Sequence, residues 1–271
     1  MLERFAQFPK ALAENARTVR LGPDVPVLLA HPDWQTPAPV VLWMHGRTVN
    51  KELDPGRYLR WIRAGIAVCS IDLPGHGERY DIEFQHPRRT LDVLSQMLGE
   101  IDAVVEALAG PEYETGVGPL FDLDRMAIGG MSAGGMAALR RLCDPHPFLC
   151  AAVEGATGDL DALYFTRDGW PVDHDPELVA PLDPAQHLDT FAPIPLLALH
   201  SEADKMVPYA GQLGFINALR AHYKAKNADP GLVKLVTWPE TGAESEHAGF
   251  GRFANDAKNV QTDFLTEHLL G

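Results

Sequence analysis

Residues 127–141 read AIGGMSAGGMAALRR, an apolar run of strand length, then a glycine-rich turn with one serine, then a stretch of helical character. Glycine-rich turns between a strand and a helix serve two chemistries: cradling a phosphate on backbone N–H groups, or thrusting a nucleophile out of the sheet on a strained elbow. A Walker-type loop needs Lys and then Ser or Thr after its second glycine, but counting from Gly129 that glycine is Gly134, and Gly135 follows it. A dinucleotide fingerprint needs glycines first, third and sixth, and starting from Gly129 or Gly130 puts Met131 or Ser132 third. What fits is G-x-S-x-G over Gly130, Met131, Ser132, Ala133 and Gly134, behind the run Met126 to Ile128 and ahead of Ala137, Ala138, Leu139 and Leu142. The spacing has a steric cause: a serine on so tight a turn clears the sheet only if the residues two before and two after carry no Cβ. The bland reading of Ser132, an ordinary helix N-cap, leaves those flanking glycines unexplained.

Outward from the elbow, apolar runs of strand length alternate with helical patterns, the sign of βαβ units and a mostly parallel sheet covered on both faces. The other runs are Val25 to Ala30, Val40 to Met44, Ile66 to Ile71, Leu149 to Val153, Pro195 to Leu199 and Leu232 to Val236. Asp54-Pro55 predicts an N-cap and first-turn proline, with Gly65 closing that short helix. After Thr90, Leu91, Leu94, Leu98, Ile101, Val105 and Leu108 predict one buried stripe, with Glu100, Asp102 and Glu106 opposite. Phe253, Ala257, Val260 and Phe264 predict a terminal helix.

The bulk properties narrow the partners. At 271 residues and 46% hydrophobic, the chain can bury a sizeable core. A net charge of -14 without a basic stripe excludes nucleic acid and anionic membranes as expected partners. Three cysteines, Cys69, Cys143 and Cys150, imply no disulfide framework. The first twenty residues lack the apolar stretch of a secretory signal, and no run reaches the length of a spanning helix, so the expected address is the cytoplasm.

In this context the chain resembles the α/β-hydrolases. WMHGR at 43–47 is similar to the family's His-Gly turn, whose following amide joins the amide after the nucleophile as the oxyanion hole; the resemblance implies Arg47 and Ala133 as donors. IDLPGHGER at 71–79 resembles the family's Asp-x-Pro-Gly-His-Gly turn and is read as scaffold, with His45 and His76 structural. LHSEADKMVPY at 199–209 resembles the acid-bearing loop, whose Asp precedes a Val-Pro pair; this aligns Asp204, with Glu202 as rival. TWPETGAESEHAGF then offers His247 just before the terminal helix, while His200, His222 and His268 are read as packed or solvated and Ser245 and Glu246 as loop residues. A serine hydroxyl needs a base, and the base needs a carboxylate to fix its tautomer. Ser132, Asp204 and His247 stand in the family's chain order.

Residues 154–190 break the alternation with four prolines, an aromatic cluster, and nine acids against the single base Arg167. Insertions of this kind usually lie over a site, and this acidity is expected to discourage an anionic substrate. Asp173, His174 and Asp175 are read as a solvated loop, since no i, i+4 partner supports a metal.

The resemblance implies an α/β fold: a mostly parallel, doubly wound sheet with helices on both faces, residues 1–271 as one domain and 154–190 as a short cap. Within the superfamily the chain looks most like the dienelactone-hydrolase-related and prolyl-oligopeptidase-like small bacterial esterases. It departs from the former in carrying serine where they carry cysteine, and from the latter in having no room for a propeller. The expected activity is a serine carboxylesterase acting on small short-chain esters, without cofactor or metal, with Trp43, Met131, Tyr164, Phe165 and Trp170 walling the pocket. A peptidase, thioesterase or acyltransferase on the same fold, or a non-catalytic binding protein, are the alternatives, and pairing as a homodimer is left open.

Overall fold

The computed structural model describes residues 8–115, 118–165 and 172–271. In chain order these form α1 (Lys10–Ala13), β1 (Ala16–Leu21), β2 (Val25–Ala30), β3 (Ala38–Met44), α2 (Pro55–Arg63), β4 (Ala67–Ile71) and α3 (Thr90–Leu108). A two-stranded hairpin of β5 (Glu114–Thr115) and β6 (Gly118–Pro119) precedes β7 (Phe121–Met131), α4 (Ala133–Arg141) and β8 (Cys150–Glu154). Then come α5 (Leu160–Phe165), α6 (Pro176–Val179), β9 (Leu196–Ser201), α7 (Tyr209–Ala225), β10 (Val233–Trp238) and α8 (Ala254–Leu269).

Eight strands form one open sheet in the order β1-β2-β4-β3-β7-β8-β9-β10. β2 runs antiparallel to β1 and β4, and every other pairing is parallel, so the expected mostly parallel fold is what the chain adopts. The sheet is apolar on both faces because helices cover both. Val40, Leu42 and Met44 of β3 join one core with Leu94, Ile101 and Val104 of α3 and Leu139 of α4. Val41 and Trp43, pointing the other way, join a second with Tyr58 and Trp61 of α2 and Phe264 and Leu265 of α8.

Three local expectations are corrected. Asp54 is not a side-chain N-cap: its φ of 61° turns the carboxylate away from the α2 amides, and it meets Arg57 at 3.2 Å and Lys258 at 2.9 Å instead. Glu100, expected on the solvent face of α3, is buried because Arg79 grips it through two bonds of 2.9 and 2.7 Å. β1, ARTVRL, was not expected as a strand; it lies on an antiparallel edge, and only Leu21 is fully buried.

Candidate active site

The parallel strands all deliver their carboxyl ends to one edge of the sheet, where open α/β sheets place their ligands. β3 ends in the His45-Gly46-Arg47 turn, beside the end of β7, where Met44 pairs with Gly130. β7 passes into Ser132, whose φ of 51° and ψ of -123° make a strained elbow. The glycine spacing has the steric cause expected. A Cβ on Gly130 would sit 2.5 Å from the Met44 carbonyl oxygen, and one on Gly134 would overlap that same oxygen. Although Ser132 occupies the N-cap position of α4, its side chain makes no capping bond.

The Ser132 Oγ lies 2.9 Å from His247 Nε2, in position to donate to it. His247 Nδ1 lies 2.8 Å from Asp204 Oδ2. Asp204, on the loop after β9, is buried; its second oxygen accepts the amides of Met206 at 2.8 Å and Val207 at 3.0 Å, which fixes the carboxylate plane. His247 comes from the loop between β10 and α8. The three side chains proposed from chain order are therefore brought together, although up to 115 positions separate them.

The rivals stand elsewhere. Glu202 accepts the Thr237 hydroxyl at the surface. His200 is buried, holds the Val207 carbonyl oxygen at 2.8 Å and lies 3.7 Å from Asp204; burial pulls its imidazole below the usual value, with Val207 and Asp204 opposing. His222 binds the Phe191 carbonyl, and His268 packs on the edge of Phe264.

Glu246, read from sequence as a plain loop residue, anchors the segment beside His247. Its carboxylate accepts the hydroxyls of Ser201 and Thr241 and the amides of Thr241 and Gly242. The Ser201 hydroxyl first, then the Thr241 and Gly242 donors, hold its carboxyl down at about 2. A tie spanning 45 positions leaves no local sequence signal.

The amides of Arg47 and Ala133 flank the elbow, and no hydrogen bond to a described residue uses either. His45 holds this turn to the next, accepting the Leu73 amide at 3.0 Å through Nε2 and meeting the Gly46 oxygen with Nδ1. In the second turn, Asp72 accepts the Lys51 amide at 2.8 Å, the Lys51 ammonium at 2.9 Å and the Glu78 amide at 2.9 Å. Burial alone would raise the Asp72 carboxyl, but His45, Lys51 and the Glu78 amide outweigh it and hold it at about 2. Burial likewise works against the Lys51 ammonium, yet Asp72, Glu78 and Glu52 hold it above its usual value.

The triplet opens on a cavity of about 1350 Å³. Trp43, Met131 and Tyr164 line it; Phe165 does not, being 40% exposed at the end of α5, and Trp170 lies outside the described residues. Residues 154–190 contribute Glu154, Leu163, Val172 and His174 to the wall as well. Three acids of that segment are occupied by backbone amides: Asp159 binds that of Ala162, Asp175 that of Glu177, and buried Asp183 those of Leu160 and Asp161. His174 packs on the edge of Tyr164 at 4.5 Å between centroids. Among the described residues no group of His, Cys, Asp and Glu is arranged to hold a metal ion.

The sheet order and the elbow define an α/β-hydrolase. The family model for the prolyl oligopeptidase family matches residues 61–270, and the chain belongs to that family, an esterase- and peptidase-type group of serine hydrolases. It is 30% identical over 264 residues to the esterase YjfP of Escherichia coli, spanning 91% of this chain and 96% of that one. Among solved structures it resembles TT1662 from Thermus thermophilus, with a TM-score of 0.70, 23% identity and coverage of 94% of this chain and 99% of that one. A puromycin-hydrolysing peptidase of Mycobacterium tuberculosis matches with TM-score 0.70 at 20% identity, covering 97% of this chain and 42% of that one. No helix among the described residues is long and apolar enough to cross a membrane.

Proposed function

We propose that the protein is a carboxylesterase working through an acyl-enzyme, with Ser132 as nucleophile, His247 as general base and acid, and Asp204 orienting the imidazole. The observation that carries the reading is one imidazole bonded at once to the Asp204 carboxylate and the Ser132 hydroxyl, at 2.8 and 2.9 Å. In this reading Ser132 attacks the ester carbonyl carbon as its proton passes to His247 Nε2. The amides of Arg47 and Ala133 receive the tetrahedral oxyanion, and the dipole of α4 favours the same charge. Collapse expels the alcohol, which takes the proton from His247; water, deprotonated by the same imidazole, then releases the acid and restores Ser132. Asp204 stays ionised throughout and stabilises the imidazolium.

Esters are favoured as substrates by the likeness to an esterase over nearly the full length of both chains. Short-chain esters are kept in this reading as the substrates; the cavity wall is mainly apolar, with Arg47, Asp54, Arg57, Glu154, His174 and Lys258 among its polar members. In the same reading the chain acts as one hydrolase domain, residues 154–190 cap the site, and the enzyme works in the cytoplasm; the three buried free cysteines fit that compartment. Membership of an oligopeptidase family supports amide cleavage as the second reading. Fluorophosphonate labelling with peptide mass spectrometry is expected to mark Ser132 and nothing in Ser132→Ala. p-Nitrophenyl esters are expected to outrun aminoacyl anilides, and preference for the anilides would sink the esterase reading.

A further inference from the structure

The cavity wall carries cations that are balanced differently. Beyond Trp43, Arg57 meets Glu154 at 2.7 Å and Asp54 at 3.2 Å, and Lys258 meets Asp54 at 2.9 Å. The Arg47 side chain is held, among the described residues, by dipoles alone: its Nη2 donates to the carbonyl oxygens of Phe84 at 3.1 Å and Gln85 at 2.7 Å. Its Nε is buried without a partner, and no carboxylate among the described residues forms an ion pair with it. Tyr164, buried to 8% exposure, and Val172 lie in the same wall, and Arg47 itself is half-buried. Burial pulls the guanidinium below its usual value, only partly opposed by Tyr164, yet it stays protonated at any physiological pH.

A half-buried guanidinium whose charge is not neutralised is costly for the free protein. An anion arriving in the cavity would relieve that cost, and a charge-assisted bond to a carboxylate is about twice as strong as a neutral one. Among the described residues, no acid of 154–190 forms an ion pair with Arg47. Glu154 is taken by Arg57, and Asp159, Asp175 and Asp183 are spent on backbone amides. The expectation that this acidic segment would discourage an anionic substrate is the opposing reading.

We propose that Arg47 selects esters that carry a carboxylate, binding it at the part of the cavity lined by Gln85, Tyr164 and His174. The inference rests on the serine-esterase reading above and adds the substrate class. Because the molecule as a whole carries a charge of -14, preference for an anion would run against its overall field and so report on the local wall.

The test compares p-nitrophenyl hydrogen succinate with its neutral methyl ester, on the full chain and on Arg47→Lys and Arg47→Met. kcat and KM are read separately and each variant is judged by its own ratio. The wild type is expected to favour the anionic ester by about tenfold in kcat/KM, mainly through KM, as one charge-assisted bond provides. Arg47→Lys is expected to keep part of the ratio and Arg47→Met to bring it to about one. Loosening of the Phe84-Gln85 loop lowers both rates together and leaves each ratio in place. Equal or better hydrolysis of the neutral ester by the wild type, or an anionic preference that survives in Arg47→Met, overturns the inference while leaving the esterase standing. Failure to cleave either ester, with no fluorophosphonate adduct on Ser132, overturns the esterase reading itself.

Discussion

Two clusters of buried acid and base sit at the same edge of the sheet, after β4 and after β9 with three strands between them, and they have opposite characters. In one, Lys51 is enclosed by Asp72, Glu78 and Glu52, at 2.9, 2.5 and 3.0 Å, with no exposed surface on its side chain. In the other, Asp204 is as well buried, but the base it holds faces the cavity and ends on a hydroxyl with no further partner among the described residues. Both use carboxylates fixed by backbone amides. What separates a structural cluster from a reactive one is therefore whether the chain of partners closes on itself or ends at an atom open to a ligand.

Breaking the open cluster should cost activity and little stability. Ser132→Ala is expected to lower kcat/KM for esters by about 10⁴-fold or more, with an unchanged melting temperature by calorimetry. Asp204→Asn is expected to lower kcat by about 10⁴-fold, since an amide favours the wrong imidazole tautomer. Breaking the closed cluster should do the reverse. Lys51→Met leaves the buried Asp72 carboxylate without its cation and is expected to destabilise by about 3–5 kcal/mol in urea titration, while the folded fraction still turns over ester.

Acid sharpens the contrast. The Asp72 carboxyl is held at about 2 in the folded chain, below its unfolded value, so its contribution is present above about pH 4 and lost as pH falls toward 2. A shift of that size corresponds to about 2 kcal/mol, and Asp72→Asn is expected to flatten the acid limb of the stability profile by that amount. The smallest effect is expected at Glu246. Glu246→Gln weakens charge-assisted bonds to the segment carrying His247, and about a tenfold loss in kcat with little change in KM is expected. A loss confined to KM would show that the loop does not position the base.

What could be read from the sequence follows the range of the forces involved. The elbow was legible because Gly130 and Gly134 are forced by contacts with backbone that allow no Cβ. The strands of the parallel sheet were legible because burial on both faces leaves unbroken apolar runs. β1 was not, because one edge strand with a half-exposed face has a weak pattern, ARTVRL. Asp54 and Glu100 were misjudged from local rules because distant cations, Lys258 and Arg79, decide their orientation. Phe165 was placed in the pocket by its neighbourhood in sequence, but the turn of α5 that directs Tyr164 inward leaves Phe165 at the surface. The anchoring by Glu246, and the lack of an ion pair at Arg47 among the described residues, are properties of three-dimensional neighbours alone.

Glu246 ties the imidazole-bearing segment to Ser201, the last residue of β9, and Asp204 hangs three positions beyond that same point. Base and acid thus share one mooring at the rim of an otherwise deeply packed sheet. Warming that frees this single knot would scatter both groups while the strands beneath remain ordered, so thermal inactivation should run ahead of melting. The working lifetime of the enzyme in heat is then governed by one loop carboxylate rather than by the core.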